Sequence, residues 1–154
     1  MNPDRIIGLT MMQGTIHSIS TSSQKGTKKT NVPQALLVEN HGINSDAHAG
    51  PWHRQISLLA LESIDTMREM GATADPGDFA ENITTVGINL LMLKPGDLVG
   101  ISDVVLEITQ IGKECRAHCA IWAAVGDCVM PREGIFARVI HGGLIRPGDH
   151  IREL

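Results

Sequence analysis

The tripeptide Pro-Gly-Asp occurs three times in this chain, at Pro76, Pro95 and Pro147, and each copy precedes or opens an apolar segment. Proline presets φ for the first central position of a turn, and glycine accepts the positive φ that a type II turn requires at the second. Each copy therefore reads as a turn that launches a strand. The apolar runs between such turns are short. "DLVGIS" and "VVLEITQIG" flank Ser102-Asp103 in the pattern of a hairpin, and "IFARVIHGGLIRPGDHIREL" supplies closing strands with a Gly-Gly break between them. Upstream, "GTIHSIS", "QALLVEN" and "QISLLA" read as three further strands. Only "LESIDTMREMG" departs from this pattern: Leu61, Ile64, Met67 and Met70 recur every third residue, with Gly71 as a stop, which predicts a helix with one apolar stripe. Many short strands, regular turns and a few short helices predict a mainly β fold, a closed or nearly closed β-barrel.

At 154 residues the chain fits one domain spanning 1–154, without linker, low-complexity run or long-period repeat. The N-terminal stretch "MNPDRIIGLTMMQGTIHSIS" lacks the order of segments a signal peptide needs, and no apolar window is long enough to span a bilayer. Three cysteines, an odd count, argue against a disulfide framework and for a reducing compartment, so a cytoplasmic location is expected and no membrane partner. The net charge of −4 and pI near 5.9 leave no basic footprint for nucleic acid. Two Trp, two Phe and no Tyr offer few platforms for stacked bases. Any anion must be held by a local basic patch.

All three cysteines fall within "GKECRAHCAIWAAVGDC". Cys115 and Cys119 are four residues apart, so a helix there places both thiols on one face, about 5–6 Å apart at Cβ. Lys113 and Arg116 flank Cys115, and neighbouring cations favour the thiolate that acts as nucleophile or metal ligand. Structural zinc sites prefer two-residue gaps and a second ligand pair, which here must come from distant His48 and His53. Cys128, in "GDCVMP", reads as small apolar filler. Elsewhere, "QKGTKKT" gathers Lys25, Lys28 and Lys29 around a glycine, which suits either a phosphate or a merely solvated loop. "SDAHAGPWHRQ" gathers Asp46, His48, His53 and Arg54; Arg54 offers a planar fork for phosphate or carboxylate, and His48 a ligand, an acid-base group or a turn residue. Glu81 and Asn82, in "GDFAENITT", precede a β-branched strand and read as pocket groups or turn caps.

In order along the chain, "HGINSDAHAGPWHRQISLL", "PGDFAENITTVGINL", "LKPGDLVGI…LEITQIGKECRAHCAI" and "GDCVMPREGIFARVIHGGLIRPGD" resemble a stand-alone bacterial MOSC domain, the family named for the C-terminal part of molybdenum cofactor sulfurases. The resemblance runs from about Gly14 to the end. It departs from the family at Ser45, where glycine commonly precedes the Asp. The resemblance implies a MOSC-type barrel and a cysteine that carries sulfur or binds the metal of the molybdenum cofactor. Thr109-Gln110 ahead of a cysteine selects Cys115, whereas the run after a basic residue selects Cys119, which is the candidate molybdenum ligand. The implied function is a binding or carrier protein for molybdenum (or tungsten) cofactor, with sulfur held on Cys119 or Cys115 for sulfuration or delivery. In that reading Lys113 and Arg116 keep the thiol ionised, while Lys25, Arg54 and Arg132 pair with the molybdopterin phosphate. Asp46, Glu81 and Asn82 hydrogen-bond the pterin. Pyridoxal phosphate is not expected in this domain. Implied partners are cofactor-biosynthesis proteins or molybdoenzymes. The alternatives are a sulfurtransferase or cofactor-dependent reductase working through a cysteine thiolate, and a structural zinc protein.

Overall fold

The computed structural model describes residues 12–113 and 128–154. Among the described residues the strands are β1 (Gln13–Thr21), β2 (Thr30–Val32), β3 (Ala35–Val38), β4 (Gly42–Ile43), β5 (Ile56–Ala60), β6 (Ile83–Val86), β7 (Leu98–Ile101), β8 (Val104–Ile111), β9 (Ile135–His141), β10 (Gly143–Ile145) and β11 (His150–Glu153). Helix α1 (Leu61–Glu69) follows β5 directly, and the single turn α2 (Met130–Glu133) precedes β9. Among the described residues no helix is long and apolar enough to cross a membrane.

Seven strands close on themselves in the order β1-β11-β7-β8-β9-β5-β6 and back to β1, with β2 appended to β1. Closure is made by the antiparallel pairing of Gly14 with Ile151. All neighbours in the barrel are antiparallel except β5 and β6, and the connection between those two contains α1, as a parallel pair requires a crossover. A separate three-stranded sheet, β10-β3-β4, lies against the barrel. The barrel therefore has no free edge, the usual solution for short antiparallel strands.

Alternation explains which residues fill it. Along β8 every second residue from Val104 to Ile108 is buried and the intervening ones are less so, the period-2 signature of a strand with one face in the core. Ile16, Ile19, Leu58, Ile83, Leu106, Ile108 and Ile151 form the barrel interior. A second cluster lies outside the barrel, where Ile64 and Met67 of α1 pack with Leu59, Phe79, Phe136, Val129 and Cys128. Cys128 is thus buried within this apolar cluster. The expected helical stripe is narrower than its spacing implied: Met70 is 46% exposed, because the helix ends at Glu69 and the chain turns at Gly71, with φ of 100°.

The three Pro-Gly-Asp segments share one geometry. Gly77, Gly96 and Gly148 have φ of 98°, 97° and 95°. In each, the Asp carboxylate accepts the amide of the residue before the proline: Asp78 from Asp75, Asp97 from Lys94 and Asp149 from Arg146, at 2.9, 2.8 and 2.8 Å. The tripeptide is thus a self-capped turn, with the aspartate satisfying an amide that no strand can.

Candidate functional site

Two loops converge at one end of the barrel, the 22–29 connection and the 44–55 connection. Asp46 joins them. Its Oδ1 accepts the Ser22 amide at 3.1 Å and the Lys29 ammonium at 2.8 Å, while Oδ2 accepts the His48 amide at 3.1 Å. Ala47 then donates its amide to the Ser22 carbonyl at 2.9 Å. Ser45, the residue before this aspartate, has φ of 73°, in the left-handed region that favours glycine. The glycine-like backbone is retained although the side chain differs.

Lys29 and Asp46 both have side chains that are 0% exposed. Burial pushes the Asp46 carboxyl up, but Lys29 and the amides of Ser22 and His48 outweigh it, and the net displacement is below the usual range. The Lys29 ammonium also donates to Ser22 Oγ at 3.0 Å and lies 2.9 Å from His48 Nδ1. Desolvation is the largest influence on His48, followed by the Lys29 charge. Asp46 opposes them, Lys113 and Lys25 add to them, and the imidazole is pushed down to about 4. His48 is therefore neutral near pH 7.

Trp52 holds the outer wall. Its indole N–H donates to the His48 carbonyl at 2.8 Å. The Lys25 ammonium lies 5.0 Å from its ring centroid and the Arg54 guanidinium 4.8 Å. Arg54 is also 5.5 Å from the Phe136 ring, so its guanidinium is held near two aromatic rings. Its Nε is buried and has no hydrogen-bond partner among the described residues. An unsatisfied buried N–H is costly.

The third contribution comes from the end of β8. His53 Nε2 lies 2.9 Å from Gln110 Oε1, Thr109 Oγ1 donates to the His53 carbonyl, and Gln110 Nε2 donates to the Gly112 carbonyl at 2.8 Å. These contacts tie the arginine loop to Lys113, whose own amide donates to Pro131 at 3.1 Å. The arrangement gathers Lys25, Asp46, His48, Arg54 and Lys113. Arg132 is exposed and follows Pro131 in α2, next to Lys113 along the backbone. Cys115, Arg116 and Cys119 lie outside the described residues.

Glu81 and Asn82 occupy a different environment. Both are 0% exposed. Asn82 Oδ1 accepts the Ser57 amide at 3.0 Å, and its Nδ2 donates to the Ser20 carbonyl at 3.1 Å. Glu81 accepts from the Phe79 amide at 3.3 Å and the Thr84 hydroxyl at 2.9 Å. Burial raises the Glu81 carboxyl above its ordinary range despite those donors. These two side chains brace β1, β5 and β6 behind the basic loops. The two histidines weighed as zinc ligands are likewise engaged, His48 by Lys29 and His53 by Gln110. A cavity of about 390 Å³ lies elsewhere, between Glu62, Ser63 and Glu133 and the 87–91 turn. It contains none of the site residues expected from the sequence, and the convergent cations and orphaned donor outrank its size as a guide to chemistry.

Sequence reasoning passed over Lys29, reading it with Lys25 and Lys28 as one of three loop cations. A buried lysine is rare unless paired, and only the fold shows the pairing. It also passed over Trp52, whose place between two cations has no periodic or spacing signal.

Comparison with known proteins gives a family. The model of the MOSC domain matches residues 44–152. No curated protein matches the chain. Among solved structures, the chain is similar to YuaD from Bacillus subtilis, with a TM-score of 0.78 and 18% identity over 94% of this chain and 97% of that one. It is also similar to YiiM from Escherichia coli, with a TM-score of 0.66 and 16% identity over 93% of this chain and 70% of that one. YiiM from Geobacillus stearothermophilus gives 0.67 and 19%, over 94% and 75%. At such identities the likeness is one of fold.

Proposed function

This chain belongs to the MOSC domain family, which is associated with molybdenum cofactor binding or sulfuration, and from that premise we propose that it binds and carries molybdenum (or tungsten) cofactor. The observation that supports this reading is the convergence of Lys25, Arg54 and Lys113 around neutral His48, with Arg54 Nε buried and unsatisfied, in a chain of net charge −4. Cations concentrated against the overall charge match a ligand that brings its own negative charge.

The residues present fit the phosphate end of molybdopterin. Arg54, held near Trp52 and Phe136, would pair its guanidinium with the phosphate, for which a planar fork is suited. Lys25 and Lys113 add charge without fixed direction. The carboxylate of Asp46 is spent on Ser22, Lys29 and His48, so its part is to hold the loops rather than to meet the pterin. Cys119 or Cys115 would hold the sulfur or contact the metal, Lys113 and Arg116 favouring the thiolate. The bound cofactor would supply redox and sulfur-transfer chemistry at its metal. The protein's own contribution is to bind, orient and exclude water. Cofactor-biosynthesis proteins or molybdoenzymes are the proposed donors and recipients.

Retention of released cofactor by the purified protein after gel filtration tests this. Arg54→Ala is expected to lower retention by about tenfold or more, the loss of a charge-assisted pair worth about 1.5–3 kcal/mol. A Cys115→Ser, Cys119→Ser variant is expected to bind more weakly and to lose any carried sulfur. Equal retention by that double variant would remove the thiols from the reading.

A further inference from the structure

The protonation of His48 is decided by contact geometry. The Lys29 ammonium has three partners, Asp46 Oδ1 at 2.8 Å, Ser22 Oγ at 3.0 Å and His48 Nδ1 at 2.9 Å. An ammonium has three protons and no acceptor. One of those protons is committed to the fully buried Asp46 carboxylate, and Ser22 Oγ and His48 Nδ1 are the acceptors for the other two. Nδ1 must then accept, and the ring proton resides on Nε2. Nδ1 is turned toward buried Lys29, so Nε2 lies on the ring's other side; the side chain is 26% exposed.

Resting on the reading of this groove as a phosphate site, we propose that Lys29 is a positioning residue that fixes His48 as the neutral Nε2–H tautomer, and that this N–H is a constant hydrogen-bond donor to a phosphate monoester held by Lys25, Arg54 and Lys113. Among the described residues, the charged groups acting on the imidazole are Lys25 and Lys29 from the 22–29 loop, Asp46 from its own loop and Lys113 from the end of β8. Burial, and after it three cations against one carboxylate, keep the second ring proton off. Asp46 is itself engaged by Lys29 and does not reverse the balance.

The consequence is an unusual pH profile. A site containing an ordinary histidine gains positive charge below about pH 6.5, whereas a phosphate monoester loses its second negative charge below about pH 6. The two changes oppose each other and give a bell-shaped affinity. With His48 fixed neutral, affinity follows the ligand alone. Binding of phenyl phosphate should rise about tenfold from pH 5 to pH 7.5, as the dianion fraction of a monoester with pKa near 6 does.

Nitrogen-15 NMR of the labelled full chain reads the tautomer directly, with His48→Gln identifying the signal among the seven histidines. The expected result is a protonated Nε2 and an unprotonated Nδ1, unchanged from pH 8 to pH 5. A proton on Nδ1, or titration near pH 6.5, would overturn the proposal. Lys29→Met strands a buried carboxylate, so the companion variant is Lys29→Met with Asp46→Asn, which leaves no uncompensated charge. In that variant burial still keeps the imidazole neutral, but nothing fixes its tautomer: the ring proton should be shared between Nδ1 and Nε2 in the nitrogen spectrum, and phenyl phosphate binding, by calorimetry, should weaken. A nitrogen spectrum identical to the wild type's would refute the positioning role. If the wild type binds no phenyl phosphate at any pH, the phosphate reading and the donor role fail together, while the nitrogen spectrum still decides the tautomer.

Discussion

Glu81 and Asp46 are both buried carboxyls, and the residues around them give them opposite behaviour. Asp46 has a lysine in contact and is held ionised; Glu81 has only hydrogen-bond donors, and burial raises it. An acid whose folded pKa lies above its unfolded value binds more protons when folded. Stability is then fullest below the unfolded value and is lost as pH rises through the raised one. Glu81→Gln is expected to remove that loss. Its Oε1 can still accept from Phe79, and the Thr84 hydroxyl can rotate to accept from the new amide. We expect Glu81→Gln to be more stable than the wild type at pH 7–8 by about 1 kcal/mol and to show a flatter pH dependence, measured by urea unfolding at pH 5, 7 and 8. A variant less stable at all three values would show that the ionised carboxylate is needed. The acidic residue was visible in the sequence, but its isolation from cations was not, since the distinction depends on which distant loops pack over each carboxyl.

At the scale of elements, three turns with one sequence motif have unequal consequences. The Pro76-Gly77-Asp78 turn does more than punctuate. It receives the Lys29 amide on the Gly77 carbonyl at 2.9 Å and the Asn31 side chain on the Pro76 carbonyl at 3.1 Å, which clamps the segment that carries Lys29. A Cβ on Gly77 would come 2.4 Å from the Lys29 carbonyl oxygen, whereas one on Gly96 would meet nothing within 4 Å. Both glycines have positive φ. Gly96→Ala should therefore cost only the left-handed backbone strain, about 1–2 kcal/mol. Gly77→Ala should add a collision with backbone, about 3 kcal/mol or more in total, and should also weaken phosphate binding. Thermal melts of the two variants side by side check the asymmetry; equal costs would mean the clamp is unimportant.

At the scale of the molecule, the barrel is closed by the pairing of β1 with β11, so β11 is a structural member. Ile151 is 0% exposed and pairs with Gly14 across the seam. Ile151→Ala is expected to cost about 2–5 kcal/mol, while Arg152→Ala, whose side chain faces outward, should cost less than about 0.5 kcal/mol. Denaturant midpoints would show this, and similar values for both would argue that the seam is not part of the cooperative unit. The mainly β architecture, helix α1 and the self-capped turns were legible in the sequence, because alternation, stripe spacing and the Pro-Gly-Asp chemistry are local. Which cations meet was not legible. Lys25, Lys28 and Lys29 are near neighbours in the chain, yet one stacks on Trp52, one makes an exposed pair with Asp78, and one is buried against Asp46. The sequence by itself determined what each segment must become, since φ preferences and side-chain periodicity act over a few residues. Only the tertiary structure decided which charges are shielded from water and which face a ligand, because burial and Coulomb interactions depend on segments brought together from far apart in the chain.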